Sequence, residues 1–312
     1  MTTLAPTAPA ATGAPAPRPG LKNRIRRNPA PYLLILAGAA WLLVLFVIPL
    51  ISGLAVSLMT GNPQDGYTFT WNWEIYGQLF GPNATTNYWL FLGRAIFYGA
   101  AATIVTILVG YPMAYFIAFR VRPQFKNALL LLVMLSFLVS FVIRTDMWAF
   151  LLSDQGPVLT VLRSLHLVSK SFHILGTDAA VIGGMAYNDL AFMVLPIYVA
   201  LERIDPRLIE ASADLYGKKS ATFFHTVLPL TRSGIFAGIL LVFIDSAGDP
   251  VTPGLLGGTN TYTIGQAIQD AYLTNQQYNV AAALSTVLMV VLGVILFAYA
   301  RIAGTENIED LV

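Results

Sequence analysis

The 312-residue chain contains no cysteine. A disulfide framework, a thiolate metal site and a catalytic thiol are thereby excluded. Charge is scarce too. Asp, Glu, Lys and Arg make up 11% of the residues, against about 25% in soluble domains. Histidine is confined to His166, His173 and His225, all in segments expected not to span a membrane. No H-E-x-x-H run and no recognisable Ser/His spacing is present, so no catalytic residue and no metal ligand set is expected. A phosphate-binding loop is also missing: Gly217-Lys218-Lys219-Ser220 has neither the upstream glycine nor the G-K-[ST] ending. If ATP drives this protein, another subunit must bind it. Met1–Gly20 is rich in Ala, Pro and Thr and has no apolar core segment, so a secretory leader is not expected and a disordered tail is.

What is there is apolar. Hydrophobic residues make up 56% of the chain and mean hydropathy is +0.66, which points to an all-α integral membrane protein. About 20 apolar residues cross roughly 30 Å of hydrocarbon. Six segments meet that length: Tyr32–Met59, Trp89–Phe119, Ala128–Leu152, Asp178–Leu201, Thr231–Val251 and Val280–Ile302. The expected organisation is a tail over residues 1–30, a six-helix domain over 31–302 and a short tail over 303–312. Thr60–Tyr88 reads as an aromatic surface loop, and Ser153–Thr177 and Thr252–Tyr278 as long connections. With the N-terminus cytoplasmic, 14 of the 18 basic residues fall on the inner side, leaving Arg94, Arg144, Arg163 and Lys170 outside. The positive-inside rule then places both termini in the cytoplasm.

Nine acidic residues lie in the outer loops or the spans, against those four basic ones. Asp65, Glu74, Asp154, Asp178 and Asp270 read as solvated loop acids. Asp189 and Asp245 do not, because an ionised group at membrane depth should face a cavity or a partner. Asp189, Asp245 and Asp249 are candidates for lining a cation pathway. Asp146 joins them as a candidate, although a local ion pair with Arg144 is the plainer expectation for it. Trp148 and Tyr187 are candidate aromatic faces for a cation, with helix packing the competing reading. Gly110-Tyr111-Pro112 marks a loosened point in the second span.

Between the fourth and fifth spans lies Asp205–Pro229, polar, charged and helix-forming. Asp205 can cap free N–H groups and Pro206 suits the first helical turn. Leu208, Ile209, Ala211, Leu215 and Tyr216 should form an apolar side, and Gly217 a stop. A second short helix, about Ser220–Val227, should end before Pro229. On the chosen orientation this pair of helices is cytoplasmic.

Glu210-Ala211-Ser212 with Asp214-Leu215, and Leu228-Pro229 at the twentieth position, resembles the EAA signature of ABC-importer permeases. Ser212 stands for the second Ala, Tyr216 holds the glycine position with Gly217 after it, and Thr226 replaces the usual Ile. Gly110–Tyr115, Arg144–Trp148, Met193–Tyr198, Gly248–Gly258 and Ala281–Ser285 are similar to segments of the spermidine/putrescine-type subgroup, specifically its first permease. The resemblance implies a type I importer permease fold with a cytoplasmic EAA coupling loop, in a bacterial plasma membrane. It implies as partners a second homologous permease, an ATPase dimer carrying ATP and Mg, an extracytoplasmic binding protein and lipid, with no nucleic acid. It also implies coupling roles for Glu210, Ala211, Ser212, Asp214, Leu215, Tyr216, Gly217, Leu228 and Pro229. Opines, phosphonates or other small solutes are the alternative cargo. A secondary transporter, or a membrane enzyme or scaffold, is the alternative class; no convincing inverted repeat supports the former.

Overall fold

A computed structural model describes residues 30–304 apart from Asn83 and Lys170. The expected N-terminal tail with its basic run, and residues 305–312, lie outside the described residues. The chain divides into two units, Met1–Pro49 and Leu50–Val312. The described part of the first holds helix α1 (Ala30–Leu42) and a wide i→i+5 turn, Leu43–Val47. Helix α2 (Ile48–Ser57) contains Pro49, the last residue of that unit.

The second unit opens with a hairpin, β1 (Met59–Asn62) against β2 (Gly66–Phe69), and α3 (Glu74–Phe80). The surface loop expected over Thr60–Tyr88 is therefore partly ordered pairing. Helix α4 (Tyr88–Phe119) starts on the Asn87 side chain, which accepts from the Leu90 amide, and carries Pro112 inside it. After α4 the chain runs through α5 (Pro123–Leu138), α6 (Phe141–Leu152) and α7 (Pro157–Ser164). Next come α8 (Asp178–Asn188), α9 (Leu190–Glu202), α10 (Pro206–Tyr216) and α11 (Lys219–Thr222). A second wide turn, Phe223–Val227, leads into α12 (Leu228–Leu230) and α13 (Arg232–Gly248). The chain closes with α14 (Val251–Leu256), α15 (Ile264–Gln269) and α16 (Tyr278–Gly304).

Among the described residues, Gly38–Ser57, Tyr88–Phe119 and Tyr278–Arg301 are each long and apolar enough to cross a membrane. Three further stretches pass only as bent pairs. The third expected span breaks by 92° between Leu138 and Phe141, the fourth by 46° at Asp189, and the helix before Arg232 by 65°. Apolar content alone cannot show such breaks, because each half keeps the hydropathy of a continuous span. Thr252–Tyr278, expected as a loop, is largely helical and includes the buried residues Thr252, Pro253, Leu256, Ile264 and Ala267. Its Gly and Thr residues serve close packing and turns: Thr261 Oγ1 accepts from the Gly258 amide at 2.7 Å, and a Cβ on Gly265 would lie 2.9 Å from Gly248 O.

The packed centre is α4, α9 and α13. Tyr111, Ala114, Met193, Val194, Ile197 and Val242 are buried together there. Gly238 lets α13 approach α9 closely, since a Cβ there would lie 2.7 Å from Met193 Sδ. Between apolar helices, small residues of this kind replace the hydrophobic drive with contact.

Candidate functional site

The 46° break between α8 and α9 falls on the adjacent polar residues Asn188 and Asp189, which are 2% and 3% exposed. Three helices meet them. Asn188 Oδ1 accepts from Arg144 Nε at 2.9 Å, and its amide nitrogen donates to Thr145 Oγ1 at 2.9 Å and Thr252 Oγ1 at 3.4 Å. Asp189 accepts from the Ser246 hydroxyl, on α13, at 2.5 Å. The break and the polar pair explain one another: backbone that leaves helical register at membrane depth is tolerated where side chains satisfy its surroundings.

Arg144 ties a second break into this network. Its guanidinium donates to Ser136 O, near the end of α5, and lies 5.6 Å and 5.8 Å from the Phe137 and Phe141 ring centres. One side chain thus spans the 92° break. The expected Arg144–Asp146 ion pair does not form. Asp146 is on the exposed side of α6, while Arg144, two residues earlier and 8% exposed, points inward. Helical residues two apart do not face each other.

Asn188→Leu would leave the buried Arg144 without an acceptor on Nε and two threonines without their donor. We expect a stability loss on the order of 3 kcal/mol, read as a drop of several degrees in the unfolding midpoint of the detergent-purified protein. An unchanged midpoint would remove Asn188 from the framework.

Asp245 and Asp249 line one open cleft of about 390 Å³ with Phe141, Ile244, Gly248, Pro250 and Val251. Asp189 is tied to the same end of α13 through Ser246, the residue after Asp245. Three of the four acids singled out from the sequence, Asp189, Asp245 and Asp249, are therefore brought to one end of α13, and Asp146 does not line that cleft. Their situations differ. Asp245 is exposed in the cleft. Asp249 Oδ1 accepts from the amides of Val251 and Thr252, at 2.7 Å and 3.2 Å, and so starts α14. Asp189 is held by Ser246. Trp148 and Tyr187 meet edge to face at 5.2 Å, joining α6 to α8, with Tyr187 still 40% exposed. Asn188, Ser246, Thr145 and Thr252 carry no sequence signal of their own apart from Asn188, a second polar residue beside Asp189 in an otherwise apolar run.

Away from the cleft, several loop acids have fixed partners. Asp178 accepts from Tyr98 and Asp270 from Tyr262. Asp154 pairs with Arg163 at 3.1 Å and His173 at 2.7 Å. The His173 hydrogen bond, followed by Arg163, holds the Asp154 carboxyl below its usual range.

The Asp205–Pro229 stretch follows much of its expected form. Asp205 Oδ1 accepts from the Arg207 amide at 2.9 Å, and Gly217 closes α10 with φ +66°, its amide donating to Ala213 O at 2.8 Å. That left-handed value accounts for the glycine one place late: Tyr216 is the last helical residue and Gly217 the turn. Two expectations change. The apolar side is divided, with Ile209 packed against the core and Leu208 and Leu215 exposed at 51% and 78%. The second helix does not stop before Pro229 but runs through it to Leu230. The wide turn Phe223–Val227 precedes Pro229, which sits in the first turn of α12, where its missing N–H is not needed.

Residues 110–304 match the family described as the binding-protein-dependent transport system inner membrane component. The chain belongs to that family and is the permease component of an ABC importer, a membrane-spanning protein of an inner-membrane transport system. It is 35% identical to the spermidine/putrescine transport system permease protein PotB of Haemophilus influenzae, over 84% of this chain and 90% of that one. The PotB protein of Escherichia coli K12 is 31% identical, over 88% and 98%. A bacterial ABC transporter described as importing the acidic polysaccharide alginate shares the fold, with a TM-score of 0.64 over 91% of this chain and 98% of that one at 20% identity.

Proposed function

We propose that this permease forms, with a second homologous permease, the pathway for a polyamine-like cation such as spermidine or putrescine. The observation that carries the reading is the cleft lined by Asp245 and Asp249, with Asp245 exposed in it and the buried Asp189 joined to the neighbouring Ser246. An extended oligocation is suited by spaced carboxylates beside an aromatic face, here Phe141 in the same cleft. Relatives named as spermidine/putrescine permeases support the same cargo.

An extracytoplasmic binding protein delivers the cation to the outer face. An ATPase dimer, holding ATP and Mg, docks on α10 through Glu210 and the exposed Leu208 and Leu215. Closure of the dimer on ATP draws the docking helices together and turns the cavity outward; hydrolysis resets it. In this reading both termini and α10 face the cytoplasm, an orientation supported by the 14 basic residues it puts on the inner side.

Affinity purification in mild detergent, with mass spectrometry of the co-purifying subunits, tests the assembly. Reconstitution of that assembly with ATP inside the vesicles tests the cargo. Spermidine uptake that unlabelled putrescine competes and an opine or a phosphonate does not is the expected result. Uptake of an opine or phosphonate in its place would overturn the cargo. Uptake by the single chain without an ATPase would overturn the mechanism.

A further inference from the structure

Two of the three departures of this docking stretch from the usual signature, Ser212 and Thr226, touch each other. Ser212 Oγ and Thr226 Oγ1 lie 2.7 Å apart, joining α10 to the wide turn Phe223–Val227. Ser212 is 7% exposed, so its hydroxyl has little water to turn to. One helical turn further along α10, the Tyr216 ring stacks on His225, centre to centre 5.1 Å and 26° apart. His225 is itself oriented by a 2.9 Å contact of Nδ1 with Ala221 O. Residues 212 and 216 of one segment thus meet 226 and 225 of the other, and the two arms are closed around the Gly217 turn.

We propose that this clasp makes α10 and the helix through Leu230 one rigid piece, with Ser212 and Thr226 as its positioning residues. The proposal rests on the docking role given to α10 above. Gly217 is the soft point of the stretch, because glycine at a left-handed φ resists bending least. Without the clasp, a push on α10 would be absorbed there. With it, the push arrives at Thr231. Thr231 is fully buried, donates to Val227 O at 3.0 Å and pairs with the Tyr111 hydroxyl of α4 at 3.1 Å. Beyond it α13 runs 17 residues, about 25 Å at 1.5 Å per residue, to the end that carries Asp245 and Ser246. The clasp thus connects the docking face to the acidic cleft through α13.

The test is a double-substitution cycle in the assembled transporter, reading uptake per ATP hydrolysed. Ser212→Ala or Thr226→Val leaves one hydroxyl facing a methyl group, a state relieved by opening the clasp to water. Each is expected to lower uptake per ATP about fivefold with the yield of assembled complex unchanged. Removing both hydroxyls in S212A/T226V restores a closed apolar contact and should return the ratio to within about twofold of the original. Unchanged ratios in the single variants, or a double variant as impaired as the sum of the two, would overturn the clasp. So would single variants that lower yield but not the ratio, since that is the behaviour of a purely structural pair. Leu215→Asp, on the exposed face of α10, separates the premise: it should release the ATPase. Full retention and uptake with Leu215→Asp would overturn the docking role of α10 itself, and the clasp with it.

Discussion

Gly217→Pro is expected to cut ATP-dependent uptake by more than about tenfold while the chain still inserts in the membrane. The native φ is +66° and the Gly217 amide donates to Ala213 O. Proline fixes φ near −65° and has no N–H, so both the turn and its hydrogen bond go, at roughly 3 kcal/mol or more. The stretch lies outside the long apolar helices, and insertion depends on those. Uptake and ATPase activity should therefore part company. Glu210→Lys is expected to act in the same direction by reversing a charge on the exposed face of α10 that is proposed to dock the ATPase. Normal ATP-dependent uptake in either variant would remove α10 from the coupling path.

The second large effect belongs to Asp245. Among the three clustered acids it is the exposed one, facing the cleft without a helix start to maintain. Asp245→Asn keeps shape and removes charge. At about 4 Å and an effective dielectric near 20, a unit charge pair is worth at most about 4 kcal/mol. A rise in KM for spermidine on the order of tenfold to a hundredfold, with basal ATPase activity nearly constant, is the expected outcome. Asp249→Asn supplies the contrast. Its carboxylate accepts two amides at the start of α14, so uptake and stability should fall together. Equal loss of uptake and ATPase activity in Asp245→Asn would reassign that acid to structure.

These contrasts show where sequence reasoning reached and where it stopped. Membrane class and the approximate spans follow from run length and hydropathy, which act residue by residue and survive any rearrangement of the helices. The Asp205 cap and the Gly217 stop are local as well: an Asp–Pro start and a left-handed glycine need only their own neighbours. Asp189 and Asp245 stood out because a charge in an apolar run is costly wherever the run is placed.

Partnership was different. Arg144 and Asp146 are two residues apart, yet the helix turns them to different sides, and Arg144 finds Asn188, 44 residues on. Ser212 and Thr226 looked like two separate departures from a pattern until the turn at Gly217 brought their hydroxyls together. The breaks at Leu138–Phe141 and Asp189 are bridged by hydrogen bonds of Arg144 and Asn188, whose partners on other helices have no local signal. Sequence by itself determined the solvent this chain folds in, its approximate spans and the cap and stop of α10, because those depend on composition and on near neighbours. The bends, the acidic cleft and the clasp were decided only by tertiary structure, because each depends on side chains that meet across different helices.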